Sequence, residues 1–185
     1  MPSIRIYFLQ WDAQRGLQPG KYVSGVNNFM DRTLIILKPD SVERGLIGNI
    51  ISRFEQKGLK IVGMKFSRIA PAVAHEHYAM HKGKPFYDSL VKFMTSGPVV
   101  LLVLEGNNVI DVSRKMMGAT FGYKAEPGTI RGDFGVSSAF NLIHGSDSPE
   151  TAKAEVSRFF KAEELFDFNR ALEPWIYDLS SGNPQ

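Results

Sequence analysis

The 185-residue sequence contains no cysteine. Without thiols the protein has neither a disulfide framework nor a thiolate metal site, and the thiol chemistry of redox enzymes is excluded. Long apolar runs are also missing, because the longest ones, residues 33–37 and 99–104, are far shorter than the roughly 20 apolar residues that cross a bilayer. The first residues lack the apolar stretch and the cleavage site of a secretory signal. We therefore expect a cytoplasmic protein that does not span a membrane.

The sequence also lacks a large excess of either positive or negative charge. The formal net charge is +3, and the basic residues are spread among acidic ones rather than collected into a run. This distribution suits an anionic small molecule as well as it suits nucleic acid. With 43% hydrophobic and 22% charged residues, the chain has the composition of one compact domain with a substantial core.

The N-terminal 29 residues differ from the remainder of the chain. They contain several glycines and a proline, and they show little helical periodicity. Residues 4–8 alternate between apolar and other side chains, which predicts a short strand, but a translation artefact ahead of a start at Met30 is an equal alternative. We therefore predict an N-terminal arm (residues 1–29), a single domain (30–178) and a C-terminal tail (179–185).

Strands alternate with helices along the predicted domain. Gly58 is expected to cap the first helix and Pro71 to begin the second. We expect an α+β sandwich of the ferredoxin-like type, in which a four-stranded antiparallel sheet carries helices on one face. The predicted strands are residues 33–37, 60–69, 99–104 and 133–137, and the predicted helices begin near residues 47, 71, 86, 109 and 148.

A long loop, residues 118–132, separates the last two predicted strands. It contains Thr120, Lys124, Thr129 and Arg131, all of which can bind phosphate oxygens. Long loops in compact domains are usually functional, so we predict a phosphate-binding loop. A mobile surface loop without a ligand is the alternative.

A histidine, His144, lies between an apolar pair and a small polar turn, just before the last predicted helix. Neutral imidazole is a good nucleophile near pH 7, and a carboxylate on its other nitrogen can orient it. Glu155 on the following helix can supply that carboxylate. A purely structural histidine remains the alternative when only these residues are considered.

Several ordered segments resemble the nucleoside diphosphate kinase family, and the resemblance covers essentially all of residues 30–178. A string of motifs in the family's order and spacing is far more specific than any single match. The segments are Lys38-Pro39-Asp40, Phe54-Glu55-Gln56-Lys57-Gly58, Ser96-Gly97-Pro98-Val99, Pro127-Gly128-Thr129-Ile130-Arg131-Gly132-Asp133-Phe134, residues 141–148 and Trp175-Ile176-Tyr177-Asp178.

The resemblance implies a ping-pong kinase in which His144 accepts the terminal phosphoryl group of a nucleoside triphosphate, typically ATP, and passes it to a nucleoside diphosphate. Glu155 matches the carboxylate that orients this histidine, and Ser146 matches the hydroxyl that bonds the carboxylate. Lys38 matches the lysine that neutralises the transferring group, and Tyr78 matches a tyrosine beside it. Positioning and charge stabilisation supply most of the catalysis in such transfers.

The resemblance also implies how nucleotides are held. The phosphates, the ribose hydroxyls and the base each have matching residues, with Leu90 and Val136 as further apolar candidates near the base. The matching residues are Arg114, Thr120 and Arg131 for the phosphates, Lys38 and Asn141 for the ribose, and Phe86 for stacking of the base.

Mg²⁺ is implied as the cofactor, held mainly by the nucleotide's phosphates and by water rather than by a protein metal site. Homo-oligomers are also implied, with a hexamer favoured over a tetramer, and no nucleic acid is required. Two positions depart from the family's usual pattern. Ser41 replaces a common glycine, which we expect to be benign. Phe121-Gly122 replaces a polar-proline pair in a loop used at subunit contacts, and we expect glycine to loosen that loop.

Two other functions were weighed. His75, His77 and His81 are close in the sequence, and His77 and His81, four residues apart on one helical face, have a spacing that can hold zinc. No third ligand is evident, so we expect a solvated helix face. A non-catalytic scaffold or nucleic-acid-binding regulator would lack the nucleophile, the lysine or the phosphate-binding arginines. All of these residues are present. The sequence also lacks the basic residues interleaved with aromatics that indicate a nucleic-acid-binding surface.

Overall fold

The computed structural model describes residues 30–178, so the predicted arm and tail lie outside the described residues. Four strands and seven helices alternate along this part of the chain, with short 3₁₀ turns between some of them. The strands are β1 (Asp31–Leu37), β2 (Lys60–Ser67), β3 (Val99–Gly106) and β4 (Ile143–Gly145). The helices are α1 (Pro39–Glu43), α2 (Ile47–Gln56), α3 (Pro71–His77), α4 (Tyr87–Met94), α5 (Val109–Met117), α6 (Ile130–Phe134) and α7 (Pro149–Phe159).

The four strands form one sheet in the order β2-β3-β1-β4, and all three pairings are antiparallel. This is the order of two interlocked β-α-β units, so the predicted ferredoxin-like α+β fold is confirmed. β1 lies in the interior of the sheet, and Ile36 at its C-terminal end is paired with His144 of β4. The last residues of β1 and the middle of β4 therefore lie side by side.

Helices cover both faces of the sheet, not the single face that we expected. On one face Ile35 packs with residues of α2 and α5, and on the other Leu34 packs with residues of α3, α4 and α7. The physical reason is visible in β1 and β3, where every residue of 33–37 and 99–106 is buried. Successive strand side chains point to opposite faces, so a fully apolar strand must be covered on both.

The fourth strand was predicted at the wrong place. Residues of the predicted strand 133–137 belong to α6 and the turn after it, and β4 lies at Ile143–Gly145 instead. Thr129 begins α6, since its side chain accepts a hydrogen bond from the backbone N–H of Gly132. Aspartate and glycine disfavour strands, whereas Ile143 offers an apolar side chain to the core beside β1.

No helix among residues 30–178 is long and apolar enough to cross a membrane.

Candidate active site

A cavity of about 700 Å³ opens beside the central strands. It brings together residues that are distant in the sequence and come from the end of β1, from α3 to α6, from β4 and from α7. Leu90 also lines it, whereas Val136 is not among its lining residues and is 87% exposed. Of the predicted site residues, those that line the cavity are Lys38, Tyr78, Phe86, Arg114, Thr120, Arg131, Asn141, His144 and Glu155.

His144, Glu155 and Ser146 form a hydrogen-bonded chain. The His144 Nε2 atom lies 3.1 Å from both carboxylate oxygens of Glu155, and Ser146 Oγ donates to Glu155 Oε2 at 2.6 Å. Ser146 Oγ also accepts a hydrogen bond from the backbone N–H of Leu34 in β1 at 3.2 Å. Ser146 does not line the cavity, so it acts behind Glu155 and fixes it to the sheet.

The carboxylate determines which nitrogen of His144 can react. A carboxylate accepts hydrogen bonds, so Nε2 carries the proton and Nδ1 retains its lone pair. The His144 side chain is 24% exposed and lines the cavity. The arrangement is that of an imidazole nucleophile whose ring is oriented by a carboxylate.

Glu155 is buried yet ionised. Burial alone would raise its pKa, but hydrogen bonds from His144 and Ser146 and the nearby imidazoles hold the pKa below the ordinary value for glutamate. The negative charge is therefore retained at neutral pH. It is available to stabilise positive charge that develops on His144.

Lys38 and Asn141 form a second pair in the cavity. Lys38 follows the last residue of β1 and its Nζ donates to Asn141 Oδ1 at 2.6 Å, while Asn141 Nδ2 donates to the carbonyl of Thr120 at 2.8 Å. Burial, aided by the charge of Arg131, lowers the pKa of Lys38 from 10.5 to about 8, against the opposing effect of Asp40. Lys38 is thus a cation held in a desolvated position, where it interacts strongly with an anion.

The two arginines differ in how much of their guanidinium is free. Arg131 is buried and donates to the carbonyls of Gly118, Asn141 and Ile143 at 2.6–3.1 Å. Three of its five N–H groups are therefore used to brace the loops of the site. Arg114 is exposed, and its one hydrogen bond in the described residues is a long one, 3.4 Å, to the carbonyl of Gly145. Arg114 consequently has more donors available for an anion.

Tyr78 adds a buried hydroxyl to the same cavity. Its OH has no hydrogen-bond partner among residues 30–178. Burial, with the charge of Glu155, raises its pKa, so the phenol stays protonated and can donate.

The backbone that presents Asn141 and His144 is strained at Leu142, whose φ is 70°. Branched residues seldom adopt this left-handed conformation, and it persists only where neighbours hold it. Asp40 Oδ2 accepts the Leu142 N–H at 3.0 Å, and Ser41 Oγ donates to the Leu142 carbonyl at 2.6 Å. Ser41, the departure that we expected to be benign, therefore adds a hydrogen bond that glycine cannot make.

The long loop contributes only part of what was expected. Thr120 and Arg131 line the cavity, but Lys124 and Thr129 do not. Thr129 caps α6 instead, and Lys124 lies over the rings of Phe121 and Tyr123. Its side chain is held there by cation–π contacts.

Gly122 is more constrained than we expected. Its N–H donates to the carbonyl of Ser137 at 3.2 Å, a bond that proline could not make. A Cβ atom at Gly122 would lie 2.4 Å from the carbonyl of Gly135. These contacts hold the loop in place, in contrast to the loosening that we predicted from glycine's freedom.

Two histidines that we expected on a solvated helix face lie at the site instead. His77 is buried, and its ring packs against that of His144 with centroids 4.8 Å apart. His81 lines the cavity and contacts the ring of Phe86. His75 is elsewhere, bonded to the hydroxyl of Tyr87. In the sequence, a place for His77 at the site was indicated only by its position next to Tyr78, a predicted site residue.

Comparisons with known proteins point to a single family. The family model of nucleoside diphosphate kinase matches residues 31–165. A nucleoside diphosphate kinase of Roseiflexus castenholzii is 59% identical over 149 residues, which cover 80% of this chain and all of that protein. One of Desulforamulus reducens is 58% identical with the same coverage. A solved structure of the Halobacterium salinarum nucleoside diphosphate kinase in complex with CDP superimposes with a TM-score of 0.79 at 51% identity, over 80% of this chain and 99% of that one.

Proposed function

The chain belongs to the nucleoside diphosphate kinase family, whose members transfer phosphoryl groups between nucleotides, and we propose that His144 carries the transferred group. The observation that supports this role is the bond between Glu155 and Nε2 of His144, which leaves Nδ1 of this cavity-lining residue as the nucleophilic nitrogen. The other expected roles rest on residues that line the same cavity, apart from Ser146, which lies behind Glu155.

In the first half-reaction, Nδ1 of His144 forms a bond to the γ-phosphorus of a nucleoside triphosphate. The bond from phosphorus to the bridging β-oxygen breaks, and the nucleoside diphosphate leaves with that oxygen and its electron pair. The imidazole becomes cationic, because Nε2 keeps its proton while Nδ1 gives its lone pair to phosphorus. Glu155 stabilises this charge through its hydrogen bond. The second half-reaction is the reverse, with another nucleoside diphosphate as acceptor.

We assign Lys38 and Tyr78 to the transferring phosphoryl group. Lys38 supplies a desolvated positive charge and Tyr78 a protonated, unpartnered hydroxyl. Charge on the phosphoryl oxygens during transfer is stabilised by such preorganised donors. Arg114, with its free donors, Thr120 and the remaining N–H groups of Arg131 hold the other phosphates.

The nucleoside end is held by fewer polar groups. Asn141 and Lys38 bond the ribose hydroxyls in this proposal, and the half-exposed ring of Phe86 stacks on the base. Stacking depends on the π-face that every base has, so it gives little discrimination between bases. The preferred substrates are therefore ATP and other nucleoside triphosphates, with nucleoside diphosphates as acceptors.

Mg²⁺ is the proposed cofactor, and the residues present fit a cation that arrives with the nucleotide. Within residues 30–178 the cavity is lined by two carboxylates, Glu155 and Asp147, and Glu155 is already bonded to His144 and Ser146. When bound, the cation neutralises phosphate charge. The protein's own cations, Lys38, Arg114 and Arg131, orient the phosphates and compensate the remaining charge.

We further propose that the kinase domain spans residues 30–178 and forms a homo-oligomer in the cytoplasm, where nucleotides are interconverted. A hexamer is favoured and a tetramer is the alternative. An oligomer is supported by the edge strand β2, which exposes the apolar side chains of Met64 (60%) and Phe66 (65%). Strand edges of this kind readily pair with another chain.

The test of the nucleophile is a labelling experiment. Purified protein is mixed with Mg²⁺ and γ-labelled ATP, isolated from free nucleotide, and then given GDP. We expect acid-labile label on the protein that moves to GDP, and no label on His144→Ala. Normal turnover by His144→Ala would refute the mechanism. Absence of label on folded, nucleotide-binding wild-type protein would favour a non-catalytic role for this chain.

A further inference from the structure

His77, the last residue of α3, is a buried histidine that has no role in the proposed transfer mechanism. Neither of its ring nitrogens has a hydrogen-bond partner among residues 30–178. A buried polar group without a partner costs about 1–3 kcal/mol, whereas a phenylalanine of similar size would fill the same space without that cost. Packing therefore does not explain why a histidine occupies this position, and an unpaired polar group of this kind needs another explanation.

The position of His77 supplies one. Its Nδ1 lies 3.6 Å from Glu155 Oε1, just beyond hydrogen-bond range. The ring meets the rings of Tyr78, His144 and Phe159 edge-to-face, with centroids 4.5, 4.8 and 5.1 Å away. Three aromatic neighbours thus fix the plane of the imidazole and keep Nδ1 directed at the carboxylate.

Glu155 consequently has a neighbour on each side. Ser146 donates to Oε2, His77 faces Oε1, and His144 Nε2 lies 3.1 Å from both oxygens. A carboxylate held only at Oε2 could rotate about its terminal bond, which is a soft torsion. Rotation would misdirect the hydrogen bond that sets the plane of the His144 ring.

We propose that His77 is a positioning residue for phosphoryl transfer, which donates from Nδ1 to Glu155 Oε1 and keeps the carboxylate square to His144. The inference rests on the proposed role of His144 as the phosphoryl carrier. An Nδ1 lone pair facing a carboxylate would be repelled, so Nδ1 carries the proton. Catalytic hydrogen bonds are often long before substrate binds, and charge on His144 draws the carboxylate and its donors together.

A neutral donor suits this position. Burial lowers the pKa of His77 to about 3 against the opposing effect of Glu155, so it stays uncharged at neutral pH. An uncharged donor orients the carboxylate without neutralising it, which leaves the full negative charge of Glu155 for the imidazolium that forms on His144. The charged groups that act on the pKa of His77 are His144, Glu155, Arg158 and Lys38, and the titratable ring of Tyr78 packs against it.

Two substitutions separate positioning from packing. His77→Asn shortens the ring but keeps an N–H donor near the place of Nδ1, whereas His77→Phe keeps the ring and removes the donor. The readouts are the single-turnover rate of His144 labelling by γ-labelled ATP, the KM for ATP, and the free energy of unfolding in urea. His75→Asn on the same helix is the matched control, because His75 is bonded to Tyr87 away from the cavity.

We expect His77→Phe to be at least as stable as the wild type and to label about tenfold more slowly with KM within twofold, since a misoriented nucleophile loses rate rather than affinity. His77→Asn should be less stable but recover most of the labelling rate. The reverse order, with Phe active and Asn slow, would show that His77 only fills space and would overturn the proposal. If phenylalanine prevents folding, His77→Leu gives the same comparison.

The two proposals fail in different ways. A wild-type protein that takes no label, or a His144→Ala protein that does, contradicts the phosphohistidine mechanism itself. A wild-type protein labelled on His144 together with a normal rate in His77→Phe contradicts only the role of His77.

Discussion

The low pKa of Lys38 predicts opposite responses of activity and stability to alkaline pH. In the proposed mechanism the protonated amine neutralises the transferring phosphoryl group, and burial lowers its pKa in the folded protein to about 8. One unit above that value about one-tenth of the enzyme retains the charge, so kcat/KM should fall about tenfold between pH 7 and pH 9. Bound triphosphate favours the charged amine, so kcat should persist to higher pH than kcat/KM.

Stability should change in the other direction. The folded-state pKa of Lys38 is lower than its ordinary value of 10.5, so the unfolded chain binds more protons between about pH 8 and pH 10.5. The free energy of unfolding therefore gains from this group as pH rises through that window, by up to about 3 kcal/mol. Lys38→Met lacks the titrating group and should lose this gain.

The assay is kcat/KM for ATP from pH 6.5 to 9.5 together with urea unfolding over the same range and up to pH 10. The wild type is compared with Lys38→Met for stability and with Lys92→Met, an exposed lysine on α4, for activity. Lys92→Met should follow the wild-type profile. A kcat/KM that stays flat to pH 9.5 would refute the reasoning. A free energy of unfolding of the wild type that does not rise relative to that of Lys38→Met above pH 8 would refute it as well.

Two further predictions concern stability. Gly122→Ala should destabilise the fold by more than about 2 kcal/mol, because the added Cβ would lie 2.4 Å from a backbone carbonyl. Gly48→Ala, where nothing lies within 4 Å and the backbone is helical, should stabilise by about 0.5–1 kcal/mol. The free energy of unfolding of both variants is measured in urea. Equal losses of stability in the two variants would contradict this prediction. Ser146→Ala removes the hydrogen bond to Glu155 and should cost about 2–3 kcal/mol and slow His144 labelling. Ser52→Ala, whose hydroxyl bonds only its own helix, should show neither effect.

Much of the fold followed from local patterns. β1, β2, β3 and α5 fall where alternation, apolar runs and helical spacing predicted them, because these segments bury a regular set of side chains. β4 was missed because it has three residues and depends on pairing with β1 rather than on a pattern of its own. The long loop that we expected before it, residues 118–132, ends in the first residues of α6, a helix that a threonine cap begins.

The candidate residues of the site were likewise available from the sequence, since the resemblance matched them to positions of the family, and the structure brings most of them to one cavity. What each side chain bonds was not available from the sequence. Arg131 was expected to hold phosphate, yet three of its N–H groups bind the carbonyls of Gly118, Asn141 and Ile143. A guanidinium takes whichever acceptors surround it, and those acceptors come from segments that meet only after folding.

The sequence by itself therefore determined the family, the fold class and the identity of the chemical groups, because motifs and periodicity are local properties of the chain. Tertiary structure alone decided that helices cover both faces, that Ser41 braces the strained Leu142, and that His77 faces the carboxylate of Glu155. Each of these depends on distances between residues far apart in sequence. Burial then fixes their protonation, because desolvation acts on a side chain only once the core has closed around it.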